Sequence, residues 1–275
     1  MTTSDDSAGE PVPVLVPPPD CGPADLPGGL LITGAAVRLG RAIALDQSRR
    51  GRAVAIHYGQ SRDEAEQTVR DCLDAGAPQA VAVQGDLRQT DDCRRVVGEA
   101  FETLGPLSVL VNSAAIFEPG TLTTTDASNW TRHLDINLAA PMWLSQAFVE
   151  GVQASGGPSA PTTQIINIVD WRGERHPDGH LAYTVSKAGL IALSRLLAQE
   201  LGPDTRVNAI APGPVLPPPG QTQDYLDRVA SSLPLRRAGS PDDIARAAAY
   251  LIDAPFVTGD VLHVTGGQEF ARDRG

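Results

Sequence analysis

Three cysteines in 275 residues, Cys21, Cys72 and Cys93, are too few and too widely spaced for a disulfide framework. With no Cys-x-x-Cys pair and no Cys/His cluster they offer no zinc site either. Basic residues are also short: 22 Lys and Arg stand against 33 Asp and Glu, a formal net charge of -11. Nucleic acid and anionic membrane both select for basic surfaces, so neither is expected as a partner. No stretch of about 18 apolar residues occurs, and Met1 to Glu10 is acidic where an export signal would be basic and then apolar. These absences leave a cytoplasmic protein acting on a small molecule as the expectation.

What is there is an ordinary globular composition, 41% hydrophobic and 20% charged, able to bury a substantial core. Residues 1–27 hold the run Pro11-Val-Pro-Val-Leu-Val-Pro-Pro-Pro and then further Pro and Gly. Proline removes amide donors and fixes φ, so this segment reads as a flexible tail. From Leu30 onward short apolar runs alternate with helical patterns. Strands are expected at Leu30–Thr33, Ala53–Tyr58, Ala80–Val83, Ser108–Asn112, Gln164–Val169, Arg206–Ile210 and Val261–Val264. Helices are expected over Arg38–Arg49, Asp63–Ala75, Asp91–Leu104, Trp130–Val152, Leu181–Leu201 and Pro241–Ile252. Seven strands with interleaved helices and no linker predict one α/β domain over residues 28–270, a doubly wound (Rossmann) parallel sheet, with 271–275 as a C-terminal end.

Between the first strand and the first helix lies Thr33-Gly-Ala-Ala-Val-Arg-Leu-Gly40. There, backbone amides at a helix N-terminus can face a pyrophosphate, and Gly34 and Gly40 would permit the tight turn. A merely structural βα turn is the competing reading. Folds of this type that select NAD carry an acid near the end of the second strand, for the ribose 2′-hydroxyl. Here the segment is Ile56-His-Tyr-Gly-Gln-Ser-Arg62, which has no acid and offers Ser61, Arg62 and His57 as donors. It favours NADPH, with Arg38 able to reach from the glycine turn. Asp86-Leu87, after the third strand, can accept from an adenine amino group, although an Asp in that place is also a common helix cap.

Tyr183-Thr-Val-Ser-Lys187 opens the helix after the fifth strand. An i, i+4 pair lies on one helix face, about 5–6 Å apart at Cβ. A phenol titrates near 10, so acid/base work near pH 7 asks for about three units, roughly 4 kcal/mol, of anion stabilisation. The Lys187 ammonium and a nicotinamide cation are the candidate sources.

The ordered set consists of the glycine turn, Asp86, Asn112-Ser-Ala-Ala, Asn137, Tyr183/Lys187 and Ala211-Pro-Gly213. Over roughly residues 28–270 it resembles the short-chain dehydrogenase/reductase family. The resemblance implies that Tyr183 handles the substrate proton, that Lys187 binds the nicotinamide ribose and lowers the tyrosine pKa, and that Asn137 holds a water in the proton relay. It adds Leu39, Tyr58, Asn112, Ala114, Pro212 and Gly213 to the cofactor contacts, and implies a homotetramer.

Thirteen residues before Tyr183, where the family places a serine, stands Asp170. The glycine turn has Arg38 where a middle glycine is usual. Both replacements, with His57-Tyr58, Ser61 and Phe117, are similar to the pteridine reductases. That likeness implies an NADPH-dependent reduction of a pterin, with Phe117 stacking one face of the heterocycle and Arg38 binding its oxygen or a cofactor phosphate. Asp170 would meet the amino edge, and Tyr183 would protonate a ring nitrogen. Departures exist at Gln60, where an arginine is expected, and at Ala115, which lacks a hydroxyl. The polar segment Trp171 to His180 is a candidate for substrate-selective contacts, Trp171 and Arg172 first, or else a solvated loop. Pro214 to Gln221 reads as a short, stiff lid. A carbonyl reductase of the same fold and a non-catalytic NADPH sensor are the alternative functions.

Overall fold

Leu30, Leu31 and Ile32 are all buried, which only a strand covered on both faces allows. They belong to β1 (Gly29–Ile32), the first of seven strands in the computed structural model, which describes residues 28–157, 163–218 and 220–271. The expected tail over 1–27 and residues 272–275 lie outside the described residues.

After β1 come α1 (Arg38–Arg49), β2 (Val54–Tyr58), α2 (Arg62–Asp74), β3 (Ala80–Gln84), α3 (Thr90–Leu104) and β4 (Leu107–Asn112). The second half holds α4 (Ala127–Leu134), a π-helical turn at Asp135–Ala139, α5 (Ala140–Ala154), β5 (Thr163–Ile168), α6 (Arg172–Arg175) and α7 (Leu181–Leu201). It closes with β6 (Thr205–Pro212), α8 (Gln223–Ser232), α9 (Pro241–Asp253) and β7 (Val261–Val264). The sheet runs β3-β2-β1-β4-β5-β6-β7 and every neighbouring pair is parallel. Strand order therefore reverses between β1 and β4, which opens a crevice at the carboxyl ends of the strands.

Side chains alternate across the sheet, and its two faces bury separate clusters. Leu30, Ile32, Val54, Ile56, Val109 and Val111 pack with Ile43 of α1 and Ile244 and Leu251 of α9. Leu31, Ala55, Leu110, Ile165 and Val207 pack with Val96 of α3 and Leu144 and Phe148 of α5. The helix α7 is long and apolar enough to cross a membrane by length and mean hydropathy, 1.2. Instead it lies on the sheet, with Tyr183, Lys187, Leu190, Ile191 and Ser194 buried. Cys72 and Cys93 are free and buried, and no metal-ligating cluster occurs among the described residues.

Three expectations change. The single helix expected over Trp130–Val152 is two helices around the turn at Asp135–Ala139. Pro141 brings no amide to the carbonyl four residues back, that of Asn137, so regular α bonding fails there. The segment after Asp170 holds a short helix, α6, with Gly173 packed against α7, where a Cβ would lie 2.8 Å from Ile191 Cδ1. The helix α8 was not expected, yet Leu226 and Ala230 are its buried residues, an i, i+4 pair.

Candidate active site

The turn after β1 is built by close backbone approach. A Cβ on Gly34, at φ +62°, would stand 2.8 Å from Ala114 Cα, and one on Gly40 would stand 2.6 Å from the Gly34 carbonyl oxygen. Thr33 Oγ1 accepts from the amides of Ser113 (3.0 Å) and Ala114 (3.1 Å), fixing the loop after β4 to the same turn. Arg38 also adopts φ +56°, in the left-handed region that favours glycine. Its Nη2 donates to the Pro217 carbonyl at 3.0 Å, tying the glycine turn to the loop after β6.

His57 lines the cavity described below, but its ring is engaged within the protein. It is 3% exposed, its Nδ1 accepts from the Gly34 amide (3.2 Å), and its Nε2 lies 3.1 Å from the Gly85 carbonyl. One donor and one acceptor fix the neutral Nε2–H tautomer. Burial lowers its pKa to about 4. Both ring nitrogens are thus spent on holding three strand ends together, which leaves no donor for a phosphate. Arg62 is also drawn away, onto Glu66 one helical turn along (3.1 Å), and Asn112 donates to Asn167 Oδ1 (2.8 Å). Arg62, Tyr58 and Asn112 do not line the cavity described below; Gln60 and Ser61 do. Asp86 lines it too, with both carboxylate oxygens taken by Arg88 at 2.9 and 2.5 Å.

Across the crevice the Tyr183 hydroxyl donates to Asp170 Oδ2 at 2.9 Å, while Asp170 Oδ1 accepts from the Arg172 amide at 2.8 Å. Burial first, and the Asp170 carboxylate second, hold the phenol pKa well above 10. The lowering expected from Lys187 is therefore not found among the protein groups; the phenol stays protonated. Lys187 is buried, and loss of solvation brings its pKa down to about 8. Its Nζ donates to the Ile168 carbonyl at 2.6 Å and lies 5.8 Å from the Tyr183 ring centroid.

Asn137 is fully buried. Its Oδ1 accepts from the Ile116 amide (2.9 Å), and its Nδ2 donates to the Ile116 carbonyl (3.0 Å) and to Ser186 Oγ (3.1 Å). The side chain is thus a clamp on the loop after β4. Phe117 follows that clamp. Its ring stacks on His180 (centroids 4.2 Å, 13°) and meets the edge of Tyr183 at 4.7 Å, so one of its faces is already covered.

Most of these groups, though not Asn137, border one cavity of about 990 Å³ at the carboxyl ends of the strands. It brings together Gly34, Arg38, Leu39, Gly40, Ser61, Asp86, Leu87, Ala114, Phe117, Asp170, Trp171, Tyr183, Lys187, Pro212 and Gly213. Sequence reasoning missed Val37, Ile116, Arg88 and Tyr225 in its wall. Tyr225 could have been found through the apolar i, i+4 pair in its helix; the others carry no sequence signal of their own.

The family model described as enoyl-(acyl carrier protein) reductase matches residues 34–269. A 3-oxoacyl-[acyl-carrier-protein] reductase of Staphylococcus epidermidis is 32% identical over 244 residues, covering 86% of this chain and 97% of that protein. Among solved structures, FolM alternative dihydrofolate reductase 1 from Brucella canis, complexed with NADP, is similar with a TM-score of 0.81. It is 35% identical over 90% of this chain and 96% of its own. A blue fluorescent protein from a metagenomic library, in complex with NADPH, reaches a TM-score of 0.79 at 31% identity, over 88% of this chain and 98% of its own.

Proposed function

The chain belongs to the short-chain dehydrogenase/reductase family, and from that premise we propose that it is an NADPH-dependent reductase of pterins, acting on dihydropterin or dihydrofolate-like substrates. The observation that carries this reading is the 2.9 Å bond from Tyr183 to a carboxylate, Asp170, in the place where the family has a serine.

The glycine turn fits a dinucleotide, because Gly34 and Gly40, where a Cβ would collide with Ala114 or with the Gly34 carbonyl, let the chain turn tightly into α1 at the wall of the cavity. Arg38, Gln60 and Ser61 would hold the 2′-phosphate end, and Lys187 the nicotinamide ribose. When bound, the cofactor supplies hydride to the substrate. The chain supplies the proton: a phenol kept protonated by burial and by Asp170 is a donor, as reduction of a C=N bond requires at nitrogen. Lys187, its ammonium 5.8 Å from the ring, offsets the charge on the phenolate that remains. Asp170, whose acceptor oxygens now serve Tyr183 and the Arg172 amide, can instead take the amino and N–H edge of a pterin.

A keto reductase is the second reading, favoured by the likeness to the staphylococcal 3-oxoacyl reductase. Against it, a carboxylate beside the oxyanion that forms from a ketone is repulsive. NADPH oxidation, followed with dihydrobiopterin, dihydromonapterin and dihydrofolate beside a panel of ketones, separates the two. Turnover of pterins alone supports the proposal. Turnover of ketones alone transfers the Tyr183 chemistry to a carbonyl substrate, and no turnover with any of them returns the sensor reading. The homotetramer implied by family likeness is tested by sedimentation.

A further inference from the structure

A second, smaller cavity of about 270 Å³ adjoins the first and shares Phe117, Arg172, Pro218 and Tyr225 with it. Its walls include the rings of Phe117, His180 and Tyr225, and no carboxylate lines it among the described residues. At about 30 Å³ per water-sized group it has room for about nine such groups, the bulk of a substituted benzene ring more than of a two- or three-carbon chain.

Arg172 is the cation in this wall, and its side chain is only 20% exposed. It donates no side-chain hydrogen bond among the described residues, and its buried Nε has no partner. The nearest carboxylate, Asp170, stands 3.8 Å from Nη1, too far for a hydrogen bond, and its oxygens already serve Tyr183 and the Arg172 amide. What positions the guanidinium is stacking: its Cζ lies 5.0 Å from the Trp171 ring centroid and 5.6 Å from that of Phe117. A largely buried cation, held by rings and paired with Asp170 only at 3.8 Å, keeps its hydrogen-bonding capacity for a second anion.

The geometry points to the smaller cavity as a subsite for a substrate substituent that joins an aromatic ring to a carboxylate, with Arg172 as the residue that selects for the carboxylate. This rests on the pterin reading for the part of the substrate in the larger cavity, and it makes the preferred substrate a folate-like dihydropterin over one with a short hydroxylated chain. Gln221, also in the wall, adds a polar group at the same end.

Two measurements test it. The first is calorimetric titration of p-aminobenzoyl-glutamate into the full-length protein saturated with NADP+, as wild type, Arg172→Gln and Arg172→Lys. We expect binding to weaken ten-fold or more in the Gln variant and to be partly retained in the Lys variant. Equal binding by wild type and Arg172→Gln, or no binding to wild type at millimolar concentration, overturns the subsite. The second is the ratio of kcat/KM for dihydrofolate to that for dihydrobiopterin, expected to fall at least ten-fold in Arg172→Gln. An unchanged ratio overturns the selective role and leaves Arg172 acting through Asp170 alone. Arg172-dependent binding of the fragment without turnover of any pterin would sink the reading of the larger cavity while the subsite stood.

Discussion

Asp170 and Tyr183 share a hydrogen bond of 2.9 Å at the mouth of α7, and the phenol is its donor. The carboxylate raises the pKa of Tyr183 and also helps to raise that of Lys187 against desolvation. Asp170→Asn removes both effects while keeping the shape. Each pKa then falls, so the protonated forms of Tyr183 and Lys187 persist over a narrower range. The alkaline limb of the kcat/KM profile should move to lower pH in the variant. A limb that stays in place would mean that neither group governs it.

Arg38 accepts a left-handed backbone for the sake of its side chain. That conformation costs a non-glycine residue about 1–2 kcal/mol, part of which a glycine returns through the freedom it adds to the unfolded chain. Arg38→Gly should therefore unfold at the same temperature as wild type or higher, by up to about 1 kcal/mol of stability. It should bind NADPH at least ten-fold more weakly, as expected for loss of a charged contact to phosphate. Arg38→Ala keeps the strain and loses the contact, so it should be less stable than Arg38→Gly and bind NADPH as weakly. Unchanged NADPH affinity in either variant, measured by cofactor fluorescence, would assign Arg38 to the Pro217 bond alone.

The strands were legible because each is an apolar run too short for a helix and closed by a turn. Tyr183 and Lys187 were legible because a spacing of four on a helix gives one face regardless of what packs around it. The roles of His57 and His180 were not. A histidine near the end of a strand reads as a donor until the Gly34 amide and the Gly85 carbonyl are seen on its two nitrogens, and those partners come from the turns after two other strands. The turn at Asp135–Ala139 was written in Pro141, but only if the missing amide is counted against the carbonyl four residues earlier. Arg62 has a local partner that its strand-end position does not show: Glu66, at i+4 on the same helix.

His57 makes stability fall in mild acid. Its folded pKa of about 4 lies below the unfolded value of 6.5, so the unfolded chain binds the extra proton between those limits. The contribution is complete above pH 6.5 and is lost as pH falls toward 4, about 3 kcal/mol in all. His57→Phe keeps a buried ring that cannot titrate. It should be less stable than wild type at pH 7.5, where the Gly34 amide loses its acceptor, and the gap should close as pH drops. Urea unfolding at pH 7.5 and 4.5 reads both. Parallel curves for the two proteins would show that the neutral ring contributes nothing.

Asn137 separates clamping from proton relay. Its side chain holds both backbone groups of Ile116, and His133 Nε2 accepts from the amide of Glu118 at 3.3 Å, so Phe117 is fixed from either side. Asn137→Ala leaves a half-buried amide and carbonyl without their partner and should cost about 1–2 kcal/mol of stability. If the residue acts through Phe117, the KM for a pterin rises several-fold while kcat changes little, because the loosened ring weakens substrate binding and Tyr183 still delivers its proton. If the residue acts in the relay, kcat falls and KM holds. The hydrogen bonds favour the first outcome, since Ile116 and Ser186 already take the amide nitrogen and the carbonyl oxygen of the side chain. A loss confined to kcat would return Asn137 to the proton path and require that one of those bonds open when substrate binds.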